Sequence, residues 1–211
     1  MATDDRPRRT RKAPGERTAE ILAAAIAIAG ADGLGALTVR SVAERAGVTQ
    51  GLVAHYFPSM HELVARAYRE LVGAEVAEVR AIVAGRRDHR QRMLDVLATV
   101  LDGSREEVTV LWVEGWALGR SNAALAAAVR EQMDAWHALL AEVIAEGATA
   151  GELVVDDAGR AAWQVLAIVD GVNAHSLVRE VDPTSAMDDA MRGVATLLGL
   201  EASSPSVDAE H

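Results

Sequence analysis

Cysteine does not occur in this 211-residue chain, and aromatic residues make up only 3% of it. Without cysteine there is no disulfide framework, no thiol nucleophile and no thiolate metal site. A β-sheet is not indicated either, because no segment keeps a hydrophobic period of two residues. The Ala-rich runs that remain predict an all-α protein, whose length and 50% hydrophobic residues suffice for a buried core.

Long hydrophobic runs are also missing. The apolar run over residues 161–169 is interrupted by Gln164 and stopped by Asp170, so it is too short to span a bilayer. The charged N-terminus has no apolar segment behind it of the kind found in a secretory signal. We therefore expect a cytoplasmic protein with no membrane partner, which agrees with the lack of cysteine.

Residues that could support catalysis or metal binding do not form a known motif. No glutamate stands three residues before any of five histidines, which excludes the paired Glu-x-x-His ligands of di-iron bundles. These histidines are His55, His61, His89, His137 and His175. The zincin motif H-E-x-x-H and the nucleophile elbow G-x-S-x-G do not occur. We expect no enzyme activity, no cofactor and no metal site.

The net charge of −10 is distributed unevenly along the chain. Six basic residues occupy the first 17 positions, whereas acidic residues crowd the region after Glu131. Because the local field decides whether a surface meets phosphate, a negative total charge does not exclude nucleic acid. Residues 1–15 are predicted to be disordered and basic, either as an arm that contacts DNA or as a solubilising tail. Residues 201–211 are predicted to be a second disordered tail.

Residues 37–57 contain two short helical patterns separated by a turn at Gly47, the arrangement of a helix-turn-helix. Thr38 precedes the first pattern and can cap it. Thr49 opens the second pattern, which directs Val53 and Phe57 inward. The polar residues Gln50, His55 and Tyr56 then remain on the outer face, which could enter a DNA groove.

Three segments of this region resemble the tetracycline-repressor (TetR) family of one-component transcriptional regulators. They are 37–39, 42–48 and 55–59, the last followed by Glu62-Leu63. The resemblance implies an N-terminal three-helix DNA-binding domain, the head, over residues 16–58. Its first helix, from Glu16 to Ala31, is expected to pack behind the two helices of the helix-turn-helix. The resemblance further implies a helical-bundle body over residues 59–200 that binds an effector and dimerises.

The resemblance also assigns DNA contacts. Thr38 and Arg40 are expected to contact the DNA backbone, and His55 and Tyr56 to donate hydrogen bonds to phosphate. Three further residues stand at the N-terminal end of the recognition helix, where side chains reach base edges: Thr49, Gln50 and Gly51. Gly51 costs about 1 kcal/mol inside a helix, and close approach of the backbone to DNA would compensate for it.

Two positions depart from the family pattern. Ala54 stands where an aromatic residue is usual, and Met60 stands where a lysine often touches phosphate. These departures make Gln50 the main candidate for base readout, since its amide can bind an adenine edge with two hydrogen bonds.

A capping box at Ser59 and Glu62 predicts a fourth helix that runs to Ala84 and links the head to the body. Further helices are expected near 91–102, 106–120, 123–147, 157–180 and 185–198. The body's Trp112 to Trp116 segment and Asp170-Gly171 loosely resemble the betaine-responsive subtype of the family.

The resemblance implies an effector cavity among the body helices, and apolar residues at helical spacing and polar residues inside an apolar helix are candidates to line it. The expected effector-binding residues are Trp112, Trp116, Met133, His137, Asp170 and Asn173. Trp136 and Trp163 are weaker candidates. A stripe of Trp and Met is equally compatible with an ordinary core, and the polar residues could instead cap a neighbouring helix or pair across a dimer.

The helix from Asp157 is apolar on nearly every side, and the last helix adds a stripe through Val194 and Leu198. A helix that is buried all round needs neighbours on two sides. If one side faces its own body and the other a second copy, the two helices form a four-helix homodimer interface, as the resemblance to the family implies; a thicker monomer core is the alternative.

The expected function is that of a ligand-released repressor which binds a pseudo-palindromic double-stranded operator as a homodimer. Two alternatives remain at this level. The body could sequester a small molecule while the head is too weak to bind DNA, or the protein could repress without any ligand.

Overall fold

The computed structural model describes residues 13–85, 88–178 and 183–200. All regular structure in these ranges is helical, which confirms the predicted all-α class. The head contains α1 (Pro14–Asp32), a 3₁₀ turn (Leu34–Ala36), α2 (Val39–Ala46) and α3 (Gln50–Tyr56). The remaining helices are α4 (Met60–Val83), α5 (His89–Leu101), α6 (Glu106–Gly119), α7 (Ala123–Thr149), α8 (Ala158–Ser176) and α9 (Pro183–Leu197).

Local capping defines the helix-turn-helix as the sequence predicted. The Thr38 hydroxyl accepts a hydrogen bond from the Ser41 amide at 3.0 Å, and the Thr49 hydroxyl accepts one from the Leu52 amide at 3.3 Å. Between α2 and α3, Gly47 adopts a left-handed conformation with φ of 64°, which suits glycine because it has no Cβ. These local contacts fix where α3 begins.

Helix α4 extends from the head into the body. Its start is capped by Ser59, whose hydroxyl accepts a hydrogen bond from the Glu62 amide at 3.4 Å, so the serine half of the predicted capping box is present. Tyr68, Val72 and Val79 are fully buried along one face of α4. This face packs against α7, α1 and α6, and it therefore belongs to both halves of the molecule.

Two clusters of buried residues form the core, and Trp112 packs against both of them. The first cluster contains the interior of the head together with Leu111, Leu125 and Val129 of α6 and α7. The second fills the bundle of α5, α7, α8 and α9. The head thus packs directly against α6 and α7 of the body through one continuous buried cluster.

Several predicted helix limits differ from the structure. Helix α1 begins at Pro14, inside the segment predicted as an arm, because proline suits the first helical position and Glu16 accepts a hydrogen bond from the Ala13 amide at 3.0 Å. Helix α8 ends at Ser176, whereas the sequence predicted Glu180. The predicted arm up to residue 12 and the tail 201–211 lie outside the described residues.

In the single chain, α8 is not buried on every side. Ala161, Ala162 and Val165 are buried, but Trp163 and Val178 beyond the helix end are 44% and 85% exposed. In one copy of the chain α8 is thus covered on one side only, and burial of its other side by a second copy stays a prediction. None of the described helices is long and apolar enough to cross a membrane.

Candidate functional site

Helix α3 presents a polar face to solvent because its apolar residues anchor it to the head. Val53 is fully buried, and Phe57 just after the helix is nearly so. Six of the seven predicted DNA-contact residues are exposed and Tyr56 is half-buried. They lie on α2, on α3 and at the caps of these helices: Thr38, Arg40, Thr49, Gln50, Gly51, His55 and Tyr56.

The side chains of this face make different contacts with their neighbours in the chain. The rings of His55 and Tyr56 meet edge to face, with their centroids 5.2 Å apart. The Arg40 guanidinium donates to the Glu44 carboxylate at 2.8 Å, and this contact raises the pKa of Arg40. Because an exposed ion pair contributes little stability, Arg40 can exchange Glu44 for a phosphate at small cost.

The two departures from the family pattern have different structural consequences. Ala54 is exposed on α3, so the missing aromatic ring leaves that part of the surface small. Met60 is half-buried against the head core, where its side chain adds packing in place of a lysine charge. At these two positions the head therefore lacks the aromatic ring and the lysine charge that the family pattern supplies.

A cavity of about 60 Å³ lies in the body among α4, α5, α6, α7 and α8. Four of the predicted effector-binding residues line it: Trp112, Met133, Asp170 and Asn173. A smaller lobe of about 20 Å³ is lined by Trp116 and shares Trp112, Asp170 and Asn173 with the cavity. At the usual space of about 30 Å³ per water, the larger cavity holds about two water molecules.

His137, also predicted to bind the effector, does not line the cavity. Its Nε2 lies 2.9 Å from the Gly159 carbonyl oxygen, to which it can donate, and its ring stacks on Trp163 at 4.6 Å between centroids. Trp163 and Trp136, the weaker candidates, do line the cavity. His137 therefore supports a wall residue instead of forming the wall.

Glu75 on α4 is a cavity residue that the sequence reasoning missed. It is only 8% exposed, and its carboxylate accepts a hydrogen bond from the Trp112 indole at 3.4 Å. The Arg105 guanidinium lies 3.9 Å away and also binds Glu78 at 2.9 Å. Burial raises the pKa of Glu75, while Trp112, Arg105 and the Trp136 indole act in the opposite direction.

Asp170 is the second carboxylate of the cavity. Burial, together with the nearby charge of Glu75, raises the pKa of Asp170 to about 6. Among the described residues, no basic side chain or hydrogen-bond donor pairs with it. One turn further along α8, the Asn173 amide donates to the Val100 carbonyl at 3.0 Å. The cavity therefore combines indole walls with an excess of acidic groups.

Tyr68 connects the cavity to the core of the head. The residue is fully buried, and its ring meets Trp112 edge to face at 5.9 Å. Gly115 leaves room for that ring, since a Cβ at this position would lie 2.8 Å from it. The Tyr68 hydroxyl has no hydrogen-bond partner among the described residues, and burial raises the pKa of the phenol.

Helix α6 also contacts the head directly. The Leu34 amide donates to the Glu114 carboxylate at 2.5 Å, at the turn between α1 and α2. Gly33, with φ of 82°, approaches the same carboxylate so closely that a Cβ would lie 2.8 Å from it. Glu114 is two residues from Trp112, so α6 carries both a cavity wall and a head contact.

Some of the missed residues left a signal in the sequence. Tyr68, Val72, Glu75 and Val79 follow helical spacing, so Glu75 lies on the same stripe as buried apolar residues. A carboxylate on such a stripe is a candidate for a functional role. Arg105 and Glu114 carry no such signal, because their partners are distant in sequence.

Comparisons with known proteins agree with this architecture. Residues 86–199 match the family model described as BetI-type transcriptional repressor, C-terminal, and residues 21–67 match the model described as bacterial regulatory proteins, tetR family. The HTH-type transcriptional regulator BetI of Burkholderia cenocepacia is 31% identical over 104 residues, which are 48% of this chain and 54% of that protein. The matched region thus spans about half the length of this curated relative.

Solved structures share the fold. A TetR-family regulator from Rhodococcus sp. superposes with a TM-score of 0.71 at 24% identity, covering 87% of this chain and 99% of that chain. A regulator from Saccharomonospora viridis, in complex with choline, gives a TM-score of 0.72 at 19% identity and covers 85% and 96%. The matched families are transcriptional regulators and not enzymes.

Proposed function

This chain belongs to the TetR family of transcriptional regulators and has a BetI-type C-terminal region, and on this basis we propose that it is a homodimeric repressor released from its operator by a small molecule. Residues 16–58 act as the DNA-binding head, and residues 59–200 hold the effector and the dimer interface. The body cavity, which shares helices α4 and α6 with the head contacts, is the observation that carries the proposal.

The proposed effector is a small organic cation. Three indoles, two carboxylates and one guanidinium line the described cavity, and that guanidinium, of Arg105, is already bound to Glu78. Cations bind favourably over indole faces, where the attraction reaches about 2 kcal/mol when the groups are desolvated. The choline bound to the Saccharomonospora viridis regulator supports the same class of ligand.

The small cavity volume suggests how an effector would act. A ligand larger than a handful of heavy atoms must displace a wall, and Trp112 is a wall residue carried by α6. Movement of α6 or α4 would then change how each head packs on its body and how far apart the two heads of the proposed dimer lie. A coupling free energy of about 1 to 3 kcal/mol would lower operator affinity roughly 5- to 150-fold.

Selection of an operator from random DNA, followed by a mobility-shift titration, tests the proposal. We expect a pseudo-palindromic site, specific binding that weakens steeply with salt, and release by choline. If the protein binds neither a selected site nor the promoter that flanks its own gene, even at low salt, the alternative of a ligand-sequestering protein is favoured. That alternative is motivated by Ala54 and Met60, which replace an aromatic residue and a lysine of the family pattern and could weaken DNA binding.

The variant Gln50→Ala tests base readout within the same assay. Loss of an amide that binds a base edge should weaken binding to the selected operator by about 1 to 3 kcal/mol and relax one base position. Binding to random-sequence DNA should change little, and it serves as the internal control. His55→Ala should weaken both equally, as a phosphate contact would. Unchanged operator affinity in Gln50→Ala contradicts the assignment.

A further inference from the structure

The two carboxylates of the body cavity occupy different environments. Glu75 is held by the Trp112 indole at 3.4 Å and by Arg105 at 3.9 Å. Asp170 faces the same cavity from α8, and no described donor or basic group pairs with it. Asp170 is half-buried, and a carboxylate that is partly removed from water without a partner is costly unless something else binds to it. The two residues are therefore suited to different tasks.

We propose that Asp170 binds the positive charge of the effector and so selects cations over neutral molecules of the same shape, whereas Glu75 is a positioning residue that orients indoles of the cavity wall. The inference rests on the proposed cationic effector. It adds which carboxylate meets the ligand and how that contact responds to pH.

The position of Asp170 supports this role. It lines both the larger cavity and the smaller lobe, where Trp112 and Asn173 also contribute to both walls. A cation placed at this junction would contact the carboxylate on one side and indole faces on the other. The Asn173 side-chain NH₂ group already donates to the Val100 carbonyl, and of the residues that line both cavities only Asp170 can carry a charge.

Glu75 has the contacts expected of a positioning residue. Its carboxylate accepts from Trp112 and also acts on the Trp136 indole, and both rings form cavity walls. Arg105 balances its charge in part. Glu75 would thus act on the effector through the indoles.

Cation binding at Asp170 should be coupled to release of a proton. The charged and titratable groups near Asp170 are Glu75 and Tyr68 on α4 and Arg105 before α6, while the described wall residues of α5, α6 and α7 are uncharged. Because the pKa of Asp170 is raised to about 6, much of the side chain is protonated at pH 5 and most is ionised at pH 7.5. A cation that requires the ionised form binds about tenfold more tightly at the higher pH.

The experiment compares choline with its neutral isostere 3,3-dimethyl-1-butanol. Binding to the full-length protein is measured by calorimetry and by tryptophan fluorescence from pH 5 to pH 8. For the wild type we expect choline to bind about tenfold more tightly at pH 7.5 than at pH 5, since ionised Asp170 attracts it. The isostere should not gain affinity as pH rises.

Three variants separate the roles of the two carboxylates. Asp170→Asn should lose roughly tenfold or more of its choline affinity and give a flat pH profile, whereas Asp170→Glu should keep both the preference for choline and the pH dependence. Glu75→Gln should weaken choline and the isostere by a similar factor. Its pH profile should persist but move to lower pH, because the charge of Glu75 raises the pKa of Asp170.

Asp134→Asn, at an exposed position of α7, is the matched control and should behave as the wild type. A pH-independent choline affinity in the wild type, or an unchanged preference for choline in folded Asp170→Asn, overturns the inference. If neither probe binds at any pH, the cationic effector and the role of Asp170 both fail. Operator binding by the same preparations then reports separately on the DNA-binding function.

Discussion

Gly51 is a residue of the recognition helix that packing within the chain does not require. A Cβ at this position would meet no atom within 4 Å, and the backbone does not have a positive φ. Glycine nevertheless weakens a helix by about 1 kcal/mol relative to alanine. Close approach of the α3 backbone to DNA would explain why glycine stands at this position, since nothing in the described part of the chain requires it.

Gly51→Ala should therefore separate stability from DNA binding. We expect the free energy of unfolding to rise by about 0.5 to 1 kcal/mol, because alanine loses less conformational entropy in a helix. Operator affinity should fall at least severalfold, because the added methyl group would hold the backbone away from DNA. Urea denaturation and mobility-shift titration provide the two measurements.

The inverse change, Ala54→Gly, is the control at an exposed position of the same helix. It should lower the free energy of unfolding by a similar amount without adding any group that could meet DNA. If Gly51→Ala leaves operator affinity unchanged, the backbone at this position does not approach DNA closely.

Helix α6, like α4, has contacts both at the cavity and in the head. Trp112 forms a wall of the cavity, and Glu114 accepts the Leu34 amide at the turn that precedes the helix-turn-helix. A helix transmits displacement because its backbone hydrogen bonds make it stiff. The hydrogen bond from Leu34 to Glu114 is therefore a specific point at which effector binding could reach the head.

Glu114→Ala should uncouple the two sites. We expect choline to bind the cavity with nearly unchanged affinity, whereas its effect on operator affinity should shrink toward none. Calorimetry with choline and mobility shifts with and without choline measure the two quantities. Glu114→Gln keeps an acceptor for the Leu34 amide and should retain part of the coupling.

Glu107→Gln removes a carboxylate at an exposed position of the same helix and is the matched control for charge. It should leave release by choline as in the wild type. Full release in Glu114→Ala would mean that another contact, such as the packing of Tyr68 on Trp112, transmits the change.

At the scale of the whole molecule, α8 and the turn after it carry an exposed stripe at helical spacing. Trp163, Ala167, His175 and Val178 are all exposed along it. The opposite face is buried through Ala161, Ala162 and Val165. An exposed stripe beside α9 is the surface expected of a dimer in which each copy contributes two helices.

Ala167→Glu should weaken the proposed dimer. A carboxylate placed between two packed helices is desolvated without a partner, so we expect the dimer dissociation constant to rise at least tenfold. Specific operator binding should fall with it, because two linked half-sites need a dimer. Sedimentation at micromolar concentration measures the assembly.

Ala127→Glu, at an exposed position of α7, adds the same charge away from the stripe and should leave the assembly unchanged. A wild-type protein that sediments as a monomer at micromolar concentration would rule out the paired-helix dimer.

The sequence by itself determined the features that depend on neighbours a few residues apart. Thr38, Thr49 and Ser59 cap helices through amides three residues ahead, and Gly47 forms the turn between α2 and α3. Helical spacing of apolar residues predicted the all-α class and most helix limits within a few residues. These features were predictable because their partners lie within one or two turns of the chain.

Only the tertiary structure decided which distant residues form the cavity. It brought Glu75 to Trp112 across 37 positions and Leu34 to Glu114 across 80 positions, and it directed His137 to Gly159 and Trp163 and not into the cavity. Such pairs depend on how whole helices cross, which no local spacing encodes. The sequence thus determined the helices and their caps, while helix packing decided which carboxylate is paired and which faces the cavity alone.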